Sequence, residues 1–293
     1  MTRPAARATF DVQRFAAFTD TPGGGNPAGV VLDASTVAAD PATMLAIAAD
    51  VGYSETVFVT DGPVTAGRRD YTVRYFSPQV EVPFCGHATI ALGVAVGRRI
   101  GAGAVTLSTK SGPVRVDVEQ TATGRWRATL TSPPPSHQPL PADQLDAVLD
   151  CFGWTRDVLA LAPPPTVAFA GARHVVLVLH QRATLGAAAY DYDRLRDLSV
   201  RHEWVTIQLA YRETPQLHHV RAPFPFGGVV EDPATGAGAA AYAAYLRDTG
   251  TLAAPTTLTI RQGDDMGRPS VLAVEVPAAG PVRVTGEAVP LSG

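Results

Sequence analysis

Apolar and polar positions change period along the chain, and each change marks an element. Residues 10–18 and 28–32 read as strands on either side of a Gly-rich loop, Thr21 to Pro27. The period then lengthens. Asp40 can cap a helix with Pro41 at its first position, Met44, Ile47, Ala48 and Val51 give that helix an apolar face, and Gly52 ends it. β-Branched alternation returns at 55–60, and a further strand is expected at 71–76. The turn Cys85-Gly86-His87 opens a helix of small apolar residues to about residue 96. Strands follow at 105–109, 114–118 and 126–130. Beyond them the pattern predicts helices at 142–152, near 190–199 and at 237–247. Strands are expected at 174–179, 204–211, 217–222, 258–261, 271–276 and 282–285. Few helices among many short strands point to an α+β fold.

The pattern is also written twice. Val73-Arg74-Tyr75-Phe76-Ser77-Pro78 leads to Val82-Pro83-Phe84-Cys85-Gly86-His87 and a small-residue run. Val220-Arg221-Ala222-Pro223-Phe224-Pro225 leads to Val230-Glu231-Asp232-Pro233-Ala234-Thr235-Gly236 and another such run. Gly86 and Gly236 stand 150 residues apart in a chain of 293. A duplicated unit of that size predicts two similar domains, each a sheet wrapped around or packed on a central helix. The proline run in Ser132-Pro133-Pro134-Pro135-Ser136 is the natural linker. The expected division is therefore 1–132, joined by the C-terminal strand 282–293, and 133–281. Each half offers a glycine turn at a helix N-terminus, a candidate anion site, to one shared cleft.

Composition narrows the chemistry. With 46% hydrophobic and 17% charged residues the chain is globular. A net charge of −3 supplies no broad basic field for nucleic acid or an anionic membrane. The seven histidines show no metal-binding spacing, and two cysteines, Cys85 and Cys151, make no disulfide framework. Met1-Thr2-Arg3-Pro4 leads into no signal-like apolar stretch, and no run approaches the ~18 apolar residues of a membrane span. A cytoplasmic location is expected.

Glu55 precedes the apolar strand Thr56-Val57-Phe58-Val59. Burial there would raise its pKa toward neutrality and suit it to acid/base work, whereas a solvated strand end would leave it ordinary. Cys85, before a helix N-terminus, reads as an activated thiol or as packing under the turn. His87 reads as a neutral proton donor or acceptor, or as a cap. Asp232 reads as a functional carboxylate or as a common helix cap. Thr235, Gly236 and the small residues after them leave backbone N–H groups open to a substrate carboxylate. Gln262 to Ser270 reads as a turn-rich hairpin or cleft rim.

Taken in order, the blocks GNPAGVVLDA (25–34), YSETVFV (53–59), VRYFSPQVEVPFCGHATIALG (73–93), GARHVVLVL (171–179), GVVEDPATGAGAAAYAAYL (228–246) and RQGDDMGRPS (261–270) resemble the phenazine-biosynthesis PhzF-like family. The resemblance implies a diaminopimelate-epimerase-type fold with the active site between its halves. It implies a cofactor-free and metal-free isomerase of a small ring carboxylate, in secondary metabolism, working as a homodimer. It assigns general acid/base work to Glu55, with His87 and Asp232 beside it. Substrate binding falls to Asn26, Cys85, Gly86, Thr235, Gly236 and Ala237. Ala237 stands where the family often has serine, and the partner cysteine of two-thiol racemases is missing from the second turn. An epimerase, racemase or dehydratase using Cys85, or a non-catalytic binding protein, are the alternatives.

Overall fold

The computed structural model describes residues 10–292. Met1 to Pro4 and the final residue of segment 282–293 lie outside them. The first half contains β1 (Val12–Ala17), β2 (Asn26–Val31), α1 (Pro41–Val51), β3 (Glu55–Val59), β4 (Asp70–Phe76), β5 (Glu81–Val82), α2 (Gly86–Ile100), β6 (Gly103–Thr109), β7 (Gly112–Gln120) and β8 (Trp126–Thr131). The second contains β9 (Ser136–Pro139), α3 (Ala142–Phe152), β10 (Thr166–Phe169), β11 (Arg173–Leu179), α4 (Arg182–Gly186), α5 (Tyr192–His202), β12 (Thr206–Arg212), β13 (Leu217–Arg221), α6 (Gly236–Asp248), β14 (Thr256–Gln262), β15 (Ser270–Val276) and β16 (Arg283–Pro290).

The duplication is visible in the strand pairings. From β1 to β8 they run antiparallel, parallel, antiparallel, parallel, antiparallel, antiparallel, with β5 as an appendage on β4. From β10 to β16 the same series recurs. Helices make the parallel crossovers, and α2 and α6 occupy equivalent places between β4 and β6 and between β13 and β14. β16 pairs with β15 and β8 through its first residues and with β1 through its last. The first sheet thereby closes into a ring around α2. The fold is α+β, of the diaminopimelate-epimerase type.

The repeated Val-Arg step has a physical role in both copies. Arg74 reaches Glu81 at 2.7 Å, and Arg221 reaches Glu231 at 2.6 Å. Each pair ties a strand to the loop that delivers a central helix. Those helices are built from small residues and are buried on every face, from Gly86 to Gly97 in α2 and from Gly236 to Leu246 in α6.

Local signals account for most element limits. Asp40 accepts from the Ala42 and Thr43 N–H groups, and Gly52 closes α1 in the left-handed region. The structure departs from the pattern where polar residues continue an element. α2 runs past residue 96 to Ile100, with Arg98 and Arg99 exposed on its last turn, where cations suit the helix dipole. β2 begins at Asn26, not Ala28, because Asn26 and Pro27 still pair opposite Ala17 and Ala16. The helix expected near 190–199 lies at Tyr192–His202, started by Asp191, and the last strand extends to Pro290. The short β5, β9, β10 and α4 carry too few residues to show a period.

α2 and α6 meet end to end. A Cβ on Gly86 would stand 3.0 Å from both the Ala237 N and the Gly236 Cα, and a Cβ on Gly236 would stand 3.4 Å from the Gly86 Cα. Backbone cannot rotate away as a side chain can. Gly86→Ala is therefore expected to lower stability by roughly 1–3 kcal/mol, read as a shift in the urea midpoint. An unchanged midpoint would show that the helix ends have slack.

Candidate active site

Glu55 is the first residue of β3 and is only 4% exposed. His87, in the first turn of α2, brings its Nε2 to 3.3 Å from Glu55 Oε2 and 3.2 Å from Ser54 Oγ. The Ser54 hydroxyl also reaches Asn26 Oδ1 at 3.4 Å. Asn26 in turn donates from Nδ2 to Asp232 Oδ1 at 2.5 Å and to the Ala234 carbonyl at 3.0 Å. The Thr235 hydroxyl donates to Asp232 Oδ2 at 2.7 Å. Gln262 holds the turn from behind, donating to the Asp232 carbonyl at 2.7 Å and accepting the Thr235 N–H at 3.2 Å. One polar chain thus runs from Glu55 in the first half to Gln262 in the second, around the touching helix ends.

Burial sets the electrostatics. It pushes the Glu55 carboxyl up to about 7, partly offset by hydrogen bonds from Ser54 and the Cys85 thiol. It pushes Asp232 up to about 8, with the nearby Glu55 charge adding to the rise and Thr235 and Asn26 opposing it. Burial lowers His87 to about 3. The imidazole is therefore neutral at physiological pH, and its contact with Glu55 is not an ion pair. Glu55 Oε2 has no hydrogen-bond partner.

These groups border a cavity of about 350 Å³ lined by residues of both halves. Its lining combines the polar Glu55, His87, His174, Thr206, Asp232 and Thr235 with Val, Pro and Phe side chains. No Lys or Arg lines it among the described residues. Positive potential comes instead from the N-termini of α2 and α6, neither of which has a side-chain cap.

The cavity brings together eight of the residues singled out from the sequence: Glu55, Cys85, Gly86, His87, Asp232, Thr235, Gly236 and Ala237. Asn26 stands behind Asp232, outside the lining. Three readings are corrected. Glu55 is not a solvated strand end. The Cys85 thiol is not activated, because burial first and the Glu55 charge second raise it well above its ordinary value. Asp232 caps no helix: the N-cap residue of α6 is Thr235, and Asp232 spends its oxygens on Asn26 and Thr235. Ser54 and Gln262 carry no motif of their own. Ser54 could have been found only from its place before Glu55, and Gln262 was read with the hairpin.

The Glu55, Cys85 and His87 donor atoms lie within 4.8 Å of one another. However, Cys85 Sγ sits 3.3 Å from His87 Nδ1 and 3.9 Å from Nε2, beside the ring and off the lone-pair axis of either nitrogen. A shared ion would require one of these side chains to rotate.

Two sheet-wrapped helices meeting at a buried acid/base cluster define an isomerase of the diaminopimelate-epimerase fold. The chain belongs to the family of phenazine biosynthesis-like proteins, whose family model matches residues 15–293. It is 35% identical over 273 residues to an uncharacterized isomerase of Deinococcus radiodurans, covering 90% of this chain and 86% of that one. It is 30% identical over 256 residues to the trans-2,3-dihydro-3-hydroxyanthranilate isomerase of Pseudomonas chlororaphis, covering 87% and 86%. Among solved structures, a predicted epimerase from Pseudomonas aeruginosa matches with a TM-score of 0.84 at 25% identity, over 97% of this chain and 98% of that one.

Glu55 and Asp232 both have folded-state pKa values above those of the open chain, so the folded protein binds more protons. The associated stability is fully present below about pH 4 and is lost as pH rises through about 7 to 8. Relative to Glu55→Gln, in which the buried histidines and Asp232 remain, the melting temperature is expected to fall between pH 5 and pH 9 by an amount equivalent to ~2–3 kcal/mol. Glu55→Gln should flatten that slope in a calorimetric series, and an equal slope in both proteins would contradict the assignment.

Proposed function

We propose that the protein shifts a proton, and with it a double bond, within a small unsaturated cyclic amino acid or ring carboxylate, and that Glu55 carries the proton. The observation behind this reading is the buried Glu55 carboxyl, with one oxygen unpartnered and a pKa near 7, beside two uncapped helix N-termini. A group that titrates near the operating pH exists in both forms and can take a proton and give it back. The trans-2,3-dihydro-3-hydroxyanthranilate isomerase activity of the Pseudomonas chlororaphis relative supports a ring amino acid as the substrate class, and membership of a phenazine biosynthesis-like family supports a setting in secondary metabolism.

The substrate carboxylate lies against the N–H groups at the starts of α2 and α6, which also stabilise the enolate-like charge that develops as the C–H bond breaks. Ionised Glu55 removes a proton from a carbon adjacent to the conjugated system. The electron pair moves into that system, and the carboxylic acid so formed returns the proton to another ring carbon. Atoms and charge balance without a co-reactant. Neutral His87 holds the substrate beside Glu55. Asp232 receives the substrate amine, whose positive charge offsets the desolvation of the carboxylate. Ala237 adds no hydroxyl to this wall. The raised pKa of Cys85 disfavours a thiolate base.

Candidate ring carboxylates incubated with the protein in D₂O should acquire deuterium, detected by mass spectrometry. Glu55→Gln keeps the shape and removes the base, and should slow the exchange at least ~100-fold. Cys85→Ala should stay within a few-fold of the parent. Exchange at the parent rate in Glu55→Gln would sink the proposal, and abolition by Cys85→Ala would favour thiol chemistry.

A further inference from the structure

Strand register carries the duplication down to single residues. Arg74 lies opposite Phe58 of β3, and Arg221 lies opposite Leu209 of β12. The two arginines are equivalent in the repeated motif, and each holds its own glutamate. Counting three residues back along each strand makes Thr206 the second-half counterpart of Glu55. The parallel-strand neighbour of Thr206 is His174, as that of Glu55 is Ala28. Glu55, Thr206 and His174 line the same cavity. The fold therefore places a second polar station where its symmetry repeats the position of Glu55.

His174 is fully buried. Its Nδ1 lies 2.8 Å from Thr206 Oγ1, which also accepts the Gln208 amide at 2.7 Å. Gln208 fits there because residue 238 is glycine: a Cβ would stand 2.5 Å from its Nε2. With the amide on one lone pair of the hydroxyl, the hydroxyl hydrogen needs an acceptor, and Nδ1 is the one in contact. Thr206 therefore donates to Nδ1, and a neutral ring carries its proton on Nε2. Burial holds the ring neutral, with a pKa lowered to about 3. That Nε2 has no partner in the protein. A buried donor left unmet is costly, so a ligand that supplies an acceptor gains by meeting it.

We propose that His174 is a substrate-positioning residue, locked by Thr206 and Gln208 to donate from Nε2 to a hydroxyl or carbonyl oxygen on the substrate ring, in the cavity it shares with Glu55. This rests on the reading of the cavity as a site for ring amino carboxylates. Such a contact would fix which ring carbon faces Glu55, and so decide where the proton leaves and where it returns.

The test compares two stable aromatic probes that differ by one acceptor oxygen, 3-hydroxyanthranilate and anthranilate, by titration calorimetry. The wild-type protein is expected to prefer the hydroxylated probe by roughly three- to tenfold, the range of one hydrogen bond. His174→Phe, which keeps a ring and removes the donor, should bind both alike. His174→Gln, whose amide can reach the position of Nε2, should restore the preference. Thr206→Val, which releases Nδ1 and the tautomer while leaving His174 in place, should reduce it, and serves if the Phe variant does not fold. A preference unchanged in His174→Phe or in Thr206→Val would overturn the proposal. So would equal binding of the two probes to the wild type while D₂O exchange still depends on Glu55, which leaves the functional reading standing. Failure of both probes to bind, with no Glu55-dependent exchange, would overturn both.

Discussion

The contact between the first turns of α2 and α6 governs the rest of the molecule. Two helix N-termini carry like partial charges and would ordinarily be kept apart or capped. Here glycine at both ends lets the backbones touch, and burial of each helix inside its own sheet holds them there. The repulsion stays unrelieved by any side-chain cap. On the proposed reading a substrate anion relieves it, and the cavity lies at that point. The join between the halves depends on this one backbone contact, and so does substrate binding on the proposed reading.

Around this symmetric joint the chemistry is unequal. The first half contributes Glu55 and His87, the second Asp232 and Thr235. At the equivalent positions stand Thr206 for Glu55, Ala237 for His87, Val82 for Asp232 and Cys85 for Thr235. Symmetric removal and delivery of a proton from opposite faces would need matched groups, and the two copies do not supply them. A single carboxyl with an intermediate pKa needs no match. Its neighbours are neutral or hydrogen-bonded, so its own burial dominates its titration.

Much of the architecture was legible because local chemistry and tertiary packing agree. Asp40-Pro41 and Gly52 bracket α1, and the periodic run 142–152 coincides with α3. The repeated Val-Arg steps gave the duplication, although their role in the Arg74–Glu81 and Arg221–Glu231 ion pairs needs the folded register. The site was legible only as a set of turns. Whether Glu55 meets water depends on α2 and the second half closing over it, which no neighbouring residue encodes. Asn26, Ser54 and Gln262 act across long sequence separations, and His174 looks from its own strand like any residue in a β-branched run. The inversion of the Cys85 reading has the same origin: a helix N-terminus lowers a thiol pKa, but burial beside a carboxyl raises it further.

β16 serves two masters. It closes the ring around α2 by bridging β8 to β1, and it also forms an edge partner for β15 in the other half. It follows every other strand in the sequence. During synthesis the first sheet therefore waits, with a gap between β1 and β8, until β16 has emerged. Its most sequence-distant pairings form last, the kind of non-local closure that slows folding. The two halves resemble independent domains, yet the first cannot close its sheet without a strand from the second. The cleft between the halves thus leans on a strand that comes after both of the turns that line it.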